Sequence, residues 1–344
     1  MNTFLKATLI TIGLIIVLVG CSVPIADDAK QVSHDPEEKT HEDSIKEEDG
    51  KVVITQNDKD SVDVGESVDS FMHVHGLSYD PQEPYDLYLS THHGLIRIDD
   101  EGQWNWTSSA EHRHDLMSFT FRDEETMISS GHPAKASDFQ DPLGVIISKD
   151  RGKTWEPIAL HGEVDFHVME VNASDPDVIY GIDAHGSGLY RSTDGGFNWE
   201  VLETKGLPED FATVFALVSD PGNPESVLAG TQRGIFKSED GGKTWELKSN
   251  EQTFVSGKGV SKQSGMIIVY LYGQSPGLMI SHDFGETWDS LNLVLEGNDA
   301  VTHIAVHPSE EGVYTVGTRE EHLFQTADGG ENWIQIAENG KPLR

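Results

Sequence analysis

An eight-residue pattern recurs along this chain at a nearly constant period. Its clearest copy is Ser238-Glu239-Asp240-Gly241-Gly242-Lys243-Thr244-Trp245, of the form Ser-x-Asp-x-Gly-x-Thr-Trp. Further copies begin at Ser148, Ser192, Ser281 and Thr326, with Asn198 and Asn332 in the Thr place of two of them. A worn sixth copy lies upstream, at Asp100-Glu101-Gly102-Gln103-Trp104-Asn105-Trp106. From one Asp to the next the spacings are 50, 44, 46, 43 and 45 residues. A fixed period of this length calls for a repeat architecture with one supersecondary unit per period.

Each copy sits between short apolar runs, such as Gly234-Ile235-Phe236 before and Glu246-Leu247 after. That reads as a β-hairpin with Asp and Gly in its turn. The carboxylate accepts from turn N–H groups ahead of it, and the Gly takes positive φ. The Trp needs a large apolar surface, most simply the neighbouring repeat. Asp150, Asp194, Asp240, Asp283 and Asp328 are therefore expected to be structural rather than catalytic.

These boxes resemble the Asp-box, or BNR repeat, of sialidases, sortilin-type receptors and photosystem II assembly-factor propellers. The resemblance covers about residues 70 to 340. It implies an all-β fold in which each repeat builds one four-stranded blade of a β-propeller, with the Asp-box hairpin joining third and fourth strands. Six units give a six-bladed propeller over residues 70–344, a reasonable single domain. Fold resemblance carries less about function, because one fold hosts many chemistries.

Residues 1–20 read as a lipoprotein signal peptide. Lys6 precedes an apolar run, Ala7 to Val19, too short for a comfortable membrane span but long enough for a signal-peptide core. Leu18-Val19-Gly20-Cys21 resembles the bacterial lipobox, which implies a lipid-modified Cys21 and anchorage on the extracytoplasmic face of the cell membrane. Cys21 is the chain's one cysteine, which excludes disulfides within the chain, thiol catalysis elsewhere and zinc–cysteine sites. Residues 21–69 read as an acidic, disordered tether. Residues 22–69 hold 15 acidic against 5 basic residues and, with no aromatics, bury too little surface to fold. His34 and His41 fall there, as does one weak strand signal, Lys51–Thr55. The formal charge of −35 argues against nucleic acid as a partner.

In a propeller the start of each first strand and the end of each second strand meet at one mouth of the central channel; this placement follows from the fold resemblance. Mapped onto those positions, blade one offers His73, His75, His92 and His93. Blade two offers His112, His114, Asp115 and His132. Blade three offers Asp165, His167, Asp183 and His185, and blade six adds His303. His73 and His75 are two residues apart and would share one side of a strand. Imidazole suits zinc, copper, nickel and iron, with carboxylates as support. His73, His75, His114, His132 and His167 are thus candidate metal ligands, with zinc or copper as the metal. His93, His185 and His303 are candidate ligand contacts. Met117 and Met169 lie close by and would favour copper(I) as thioether ligands.

His73-Val74-His75-Gly76-Leu77, His114-Asp115-Leu116-Met117, Ser130-Gly131-His132-Pro133 and Asp165-Phe166-His167 also resemble a bacterial branch of BNR proteins described as glycosyl-hydrolase-like. Sialidases add three clasping arginines, a Tyr–Glu pair and an Arg-Ile-Pro motif. Here Arg113, Arg233 and Arg319 belong to separate blades, and neither the pair nor the motif is found. Other glycosidases need two carboxyl groups across a sugar; Asp115, Asp165 and Glu170 are the catalytic candidates. The long link from Gly131 to Leu143 falls on the same face, where loops shape sites. The expectation is a monomeric, membrane-tethered propeller binding a transition-metal ion at a histidine-rich mouth. The alternatives are a sialidase-like glycoside hydrolase and a protein-interaction or assembly scaffold.

Overall fold

The computed structural model describes residues 65–249, 253–273 and 276–343. The signal peptide, Cys21, most of the tether and the Lys51–Thr55 run lie outside them. The described residues form a six-bladed β-propeller. Each blade is an antiparallel sheet of strands in chain order, with Gly131–His132 set aside between the second and third strands of blade two, and the sixth blade carries a fifth, outermost strand, Lys341–Pro342. The innermost strands are Val74–Tyr79, Thr120–Phe121, Phe166–Val171, Val214–Asp220, Thr253–Val260 and Val301–Val306. A two-stranded hairpin, Asp115–Leu116 with Gly131–His132, stands beside blade two. Six units were expected from the period, and six blades are present.

The repeated turn explains the period. Asp240 Oδ1 accepts from the backbone N–H of Lys243 at 3.1 Å and of Thr244 at 2.8 Å, while Oδ2 accepts from the Thr244 hydroxyl at 2.6 Å. The Ser238 hydroxyl donates to Asp240 Oδ1 at 2.9 Å and accepts from Gly242 N–H at 2.9 Å. Asp150, Asp194, Asp283 and Asp328 make the same pattern, with Asn side chains replacing the Thr hydroxyl at Asp194 and Asp328. The Thr244 bond and its companions, against slight desolvation, hold the Asp240 carboxyl at about 2. In the worn copy the acceptor is Asp99 rather than Asp100: its Oδ1 receives Glu101 and Gln103 N–H groups at 3.1 and 2.8 Å.

Apolar clusters span neighbouring blades. Trp245 of blade four packs with Val178, Tyr180 and Leu189 of blade three, and its indole N–H donates to the Gly242 carbonyl at 2.7 Å. Gly242 has φ +88, and a Cβ there would meet Leu202 Cδ1 of blade three at 3.0 Å. Glycine is required both by the turn and by the close approach. Trp155 packs likewise with Tyr88 and Leu95 of blade one. Blades six and one close the ring through side chains and backbone rather than by an exchanged strand. The Tyr79 hydroxyl lies 2.7 Å from the Thr315 hydroxyl, and Phe71 N–H donates to Gly340 O at 2.7 Å.

Two expectations need correction here. The tether does not run to residue 69: Gly65 and Val68 donate to the carbonyls of Trp106 and Trp104, and Val68 is buried. A stretch with few apolar residues is held by backbone bonds to a blade edge, which composition does not reveal. His114 is not placed as a metal ligand. It is buried, its Nδ1 accepts from Ala134 N–H at 3.0 Å, and its ring stacks on Phe139 at 5.4 Å. It pins the long link behind the mouth.

Two outcomes follow for stability. Asp240→Ala removes charge-assisted acceptors of turn N–H groups and should cost about 1–2 kcal/mol, read as a lower urea midpoint, whereas Asp240→Asn should retain part of it. Burial, with the neighbouring His112 charge, lowers His114 from 6.5 to about 4. The unfolded chain therefore takes up this proton first. The contribution is full above pH 6.5 and is lost as pH falls to about 4, a swing of roughly 3 kcal/mol. Urea midpoints at pH 7, 5.5 and 4.5 should fall more steeply in the wild type than in His114→Gln; equal slopes would refute this.

Candidate functional site

A cavity of about 200 Å³ follows the propeller axis, lined by the innermost strands of all six blades. Five of those strands carry a β-bulge near their start, at His75, His167, Phe215, Ser256 and Thr302. A bulge inserts one residue and turns its side chain away from strict alternation. This positions His75 and His167 at equivalent places in blades one and three. It also corrects the simple two-residue argument for His73 and His75. His73 precedes its strand with φ +53, a left-handed conformation rare for a non-glycine residue, and His75 occupies the bulge. Their rings still lie 6.2 Å apart.

The mouth side chains form two groups. In the first, the rings of His73, His75 and His92 are mutually adjacent, and their ligand nitrogens lie within 4.8 Å of one another. Asp115 stands behind them. His92 Nδ1 is 2.6 Å from Asp115 Oδ2, and His75 Nδ1 is 3.1 Å from Oδ1. Desolvation opposes ionisation of Asp115, but these two imidazoles hold its carboxyl below the ordinary range. Burial lowers His75, outweighing Asp115 and assisted by the His92 and His73 charges.

In the second group, His167 Nε2 lies 2.8 Å and His132 Nε2 3.3 Å from the same oxygen, Asp165 Oδ2. His132 Nδ1 is held by Asp141 Oδ1 at 2.7 Å. Burial works against the proton on His132, yet Asp141, Asp165 and Asp115 raise it above its ordinary value. Asp165 is 3 % exposed, and its Oδ1 is buried without a hydrogen-bond partner. Its backbone N–H donates to Asp183 Oδ1 at 3.0 Å, which fixes the turn that carries it. The two groups meet through the hairpin, where Asp115 pairs with His132 across the strands.

Other candidates fall elsewhere. Glu170 is not a mouth carboxylate. It is buried along the channel, where its Oε1 accepts from Ser219 N–H at 2.9 Å and its Oε2 pairs with Lys258 Nζ. Neutralised by a lysine two blades away, it ties blades three, four and five together. Met169 is buried core rather than a thioether ligand. His93 and His185 are exposed and outside both groups, His185 lying 3.6 Å from Asp183. His303 lines the cavity; burial, then the His75 and Lys258 charges, lower it to about 3. Arg113 pairs with Glu66 and lies over the Trp106 ring at 4.4 Å, a structural role.

Sequence reasoning passed over Asp141, Lys258 and Phe215. Asp141 stands in the long link, where no period places it. Lys258 is 88 residues from its partner. Phe215 lies in the continuous apolar run Val214–Val218, which by itself signals a strand buried on both faces, but its bulge leaves it 44 % exposed beside the cavity.

Comparison with known proteins finds xyloglucanases among the similar sequences and GH74 enzymes among the similar structures. No protein-family profile matches the chain. It is similar to a xyloglucanase of Acetivibrio thermocellus, with 25% identity over 325 residues, covering 75% of this chain and 38% of that protein. A xyloglucanase of a Paenibacillus species is 24% identical over 342 residues, covering 79% and 32%. Among solved structures, the Niastella koreensis GH74 enzyme superposes with TM-score 0.56 at 17% identity, covering 79% of this chain and 46% of that one. The GH74 xyloglucanase of Xanthomonas campestris gives 0.52 at 17%, covering 80% and 46%. The structural likenesses support the propeller fold, and this chain spans less than half the length of each of these proteins.

Proposed function

We propose that this chain is a glycoside hydrolase-like propeller that engages a glycan at its mouth, with xyloglucan or a related polysaccharide as ligand. The observation that carries the reading is the alignment of three quarters of the chain with a xyloglucanase. The mouth is compatible with it. Phe215, 44 % exposed beside the cavity, supplies an aromatic side chain of the kind that meets sugar rings, near polar imidazoles and carboxylates for sugar hydroxyls. If cleavage occurs, Asp115 and Asp165 are the two catalytic candidates that belong to the mouth, and hydrolysis needs two carboxyl groups flanking the bond. Asp115, held ionised, suits the base or nucleophile.

The test uses residues 65–344 with xyloglucan, following retention on the polysaccharide and release of reducing ends. Phe215→Ala should weaken retention about tenfold, ~1.4 kcal/mol. Asp115→Asn should leave retention and remove any hydrolysis. Absence of both binding and cleavage across a panel of β-glucans would overturn the reading.

The reading includes a lipid-anchored, extracytoplasmic location through Cys21. In a Gram-positive or Gram-negative host the full chain should sediment with membranes and take up labelled fatty acid. Cys21→Ser should abolish the label; a labelled variant would refute the lipobox assignment.

A further inference from the structure

We infer that His132, Asp165 and His167 form a binding site for one divalent first-row transition-metal ion. The glycan reading is not needed for this, since the ion is detected without any sugar.

The argument starts from Asp165. A carboxylate with 3 % exposure costs several kcal/mol to bury unless it is compensated. Its partners in ion-pair range are the imidazoles of His132 and His167, both meeting Oδ2, while Oδ1 has no donor. Two imidazole nitrogens and one carboxylate oxygen converge from separate elements. His132 comes from the hairpin, His167 from a bulge, and Asp165 from the turn before that strand. Adjacent ligands of an octahedral ion at about 2.1 Å stand about 3.0 Å apart, close to the 2.8 and 3.3 Å found here. A two-histidine, one-carboxylate set with open positions is a known arrangement for Fe(II) and related divalent ions.

The support behind the ligands fits as well. Asp141 accepts from Nδ1–H of His132, so the nitrogen that an ion would take is Nε2, on the side of Asp165, once its proton has been displaced. Asp183 holds the Asp165 backbone. The His132 and His167 side chains are each 43 % exposed, so an ion would have an entry path and free positions facing the channel mouth. Binding needs His167 neutral with its one proton on Nδ1, so a proton held between Nε2 and Asp165 Oδ2 passes to Nδ1 or, where Nδ1 already carries one, to solvent, and Nε2 and Oδ2 turn their lone pairs to the ion.

Two competing clusters carry less. His73, His75 and His92 bring no charge of their own, and Asp115 already occupies a nitrogen of His92 and stands against one of His75. Around Asp299, Glu320 and His322, Asp299 Oδ1 accepts from Ala300 and Glu320 N–H groups, and His322 Nδ1 accepts from Asn339 N–H.

The experiment uses the full chain without an affinity His-tag. The protein is titrated with Co(II) and Zn(II) by absorbance and calorimetry, and the dialysed samples are measured by elemental mass spectrometry. One ion per chain is expected, with a Co(II) d–d band. His132→Ala with His167→Ala should abolish it, and Asp141→Asn should weaken affinity 10–100-fold. His73→Ala with His92→Ala should leave it intact, and circular dichroism with urea midpoints establishes that each variant is folded. Retention of the ion in the folded His132/His167 variant, its loss in the His73/His92 variant, or no ion bound by the wild type would each overturn the proposal. Loaded Asp165 would no longer be free for sugar hydrolysis, so xyloglucan cleavage that survives a filled site would assign Asp165 no acid–base role without touching the metal result.

Discussion

Everything in this molecule depends on one contact made repeatedly: the tight turn of a blade seated against the apolar face of the blade before it. A small four-stranded sheet cannot bury both of its faces alone. The turn solves this by holding a Trp inward while its glycine lets the backbone come close. Trp245 and Gly242 reach Leu189, Leu202 and Tyr180 in this way. The Asp carboxylate makes that seat rigid by accepting the turn's N–H groups. Polar and apolar parts of one eight-residue motif thus do separate jobs at a single interface.

With the sheets seated radially, the inner strands must converge, and their starts become the rim of the channel. The bulges then decide which side chain faces the rim. In blades one and three that residue is a histidine, in blade four a phenylalanine, and in blades five and six Ser256 and Thr302. The mouth is therefore chemically lopsided: imidazoles and carboxylates gather over blades one to three, and blade four adds one aromatic side chain, Phe215. The glycan proposed as ligand and the metal ion inferred at Asp165 would draw on different parts of that rim.

The fold was legible because the determinants are local. Ser238, Asp240, Gly242 and Trp245 lie within eight residues, so period and turn could be read together. The mouth was legible in position for the same reason, since His75 and His167 are tied to strand starts. Pairings were not. Glu170 looked like a free acid because its lysine comes from another blade. His114 looked like a ligand because nothing nearby shows that Ala134 occupies its nitrogen. Asp141 went unnoticed because the link that carries it has no counterpart in the other repeats. Register, bulges and long-range charge pairs are decided by packing, and spacing alone does not encode them.

The way the chain enters the propeller has a mechanical consequence. Gly65 and Val68 bond to the outer strand of blade one, and Phe71 bonds to Gly340 at the closure of the ring. A pull transmitted from upstream would load these bonds before it reached any blade interior. They lie on the side of blade one and at the join with blade six, where first and last blades meet without a shared strand. The ring is thus most directly coupled to its upstream segment at its own seam, and a force there would act on the circle's continuity while leaving the distant wall of the channel unstressed.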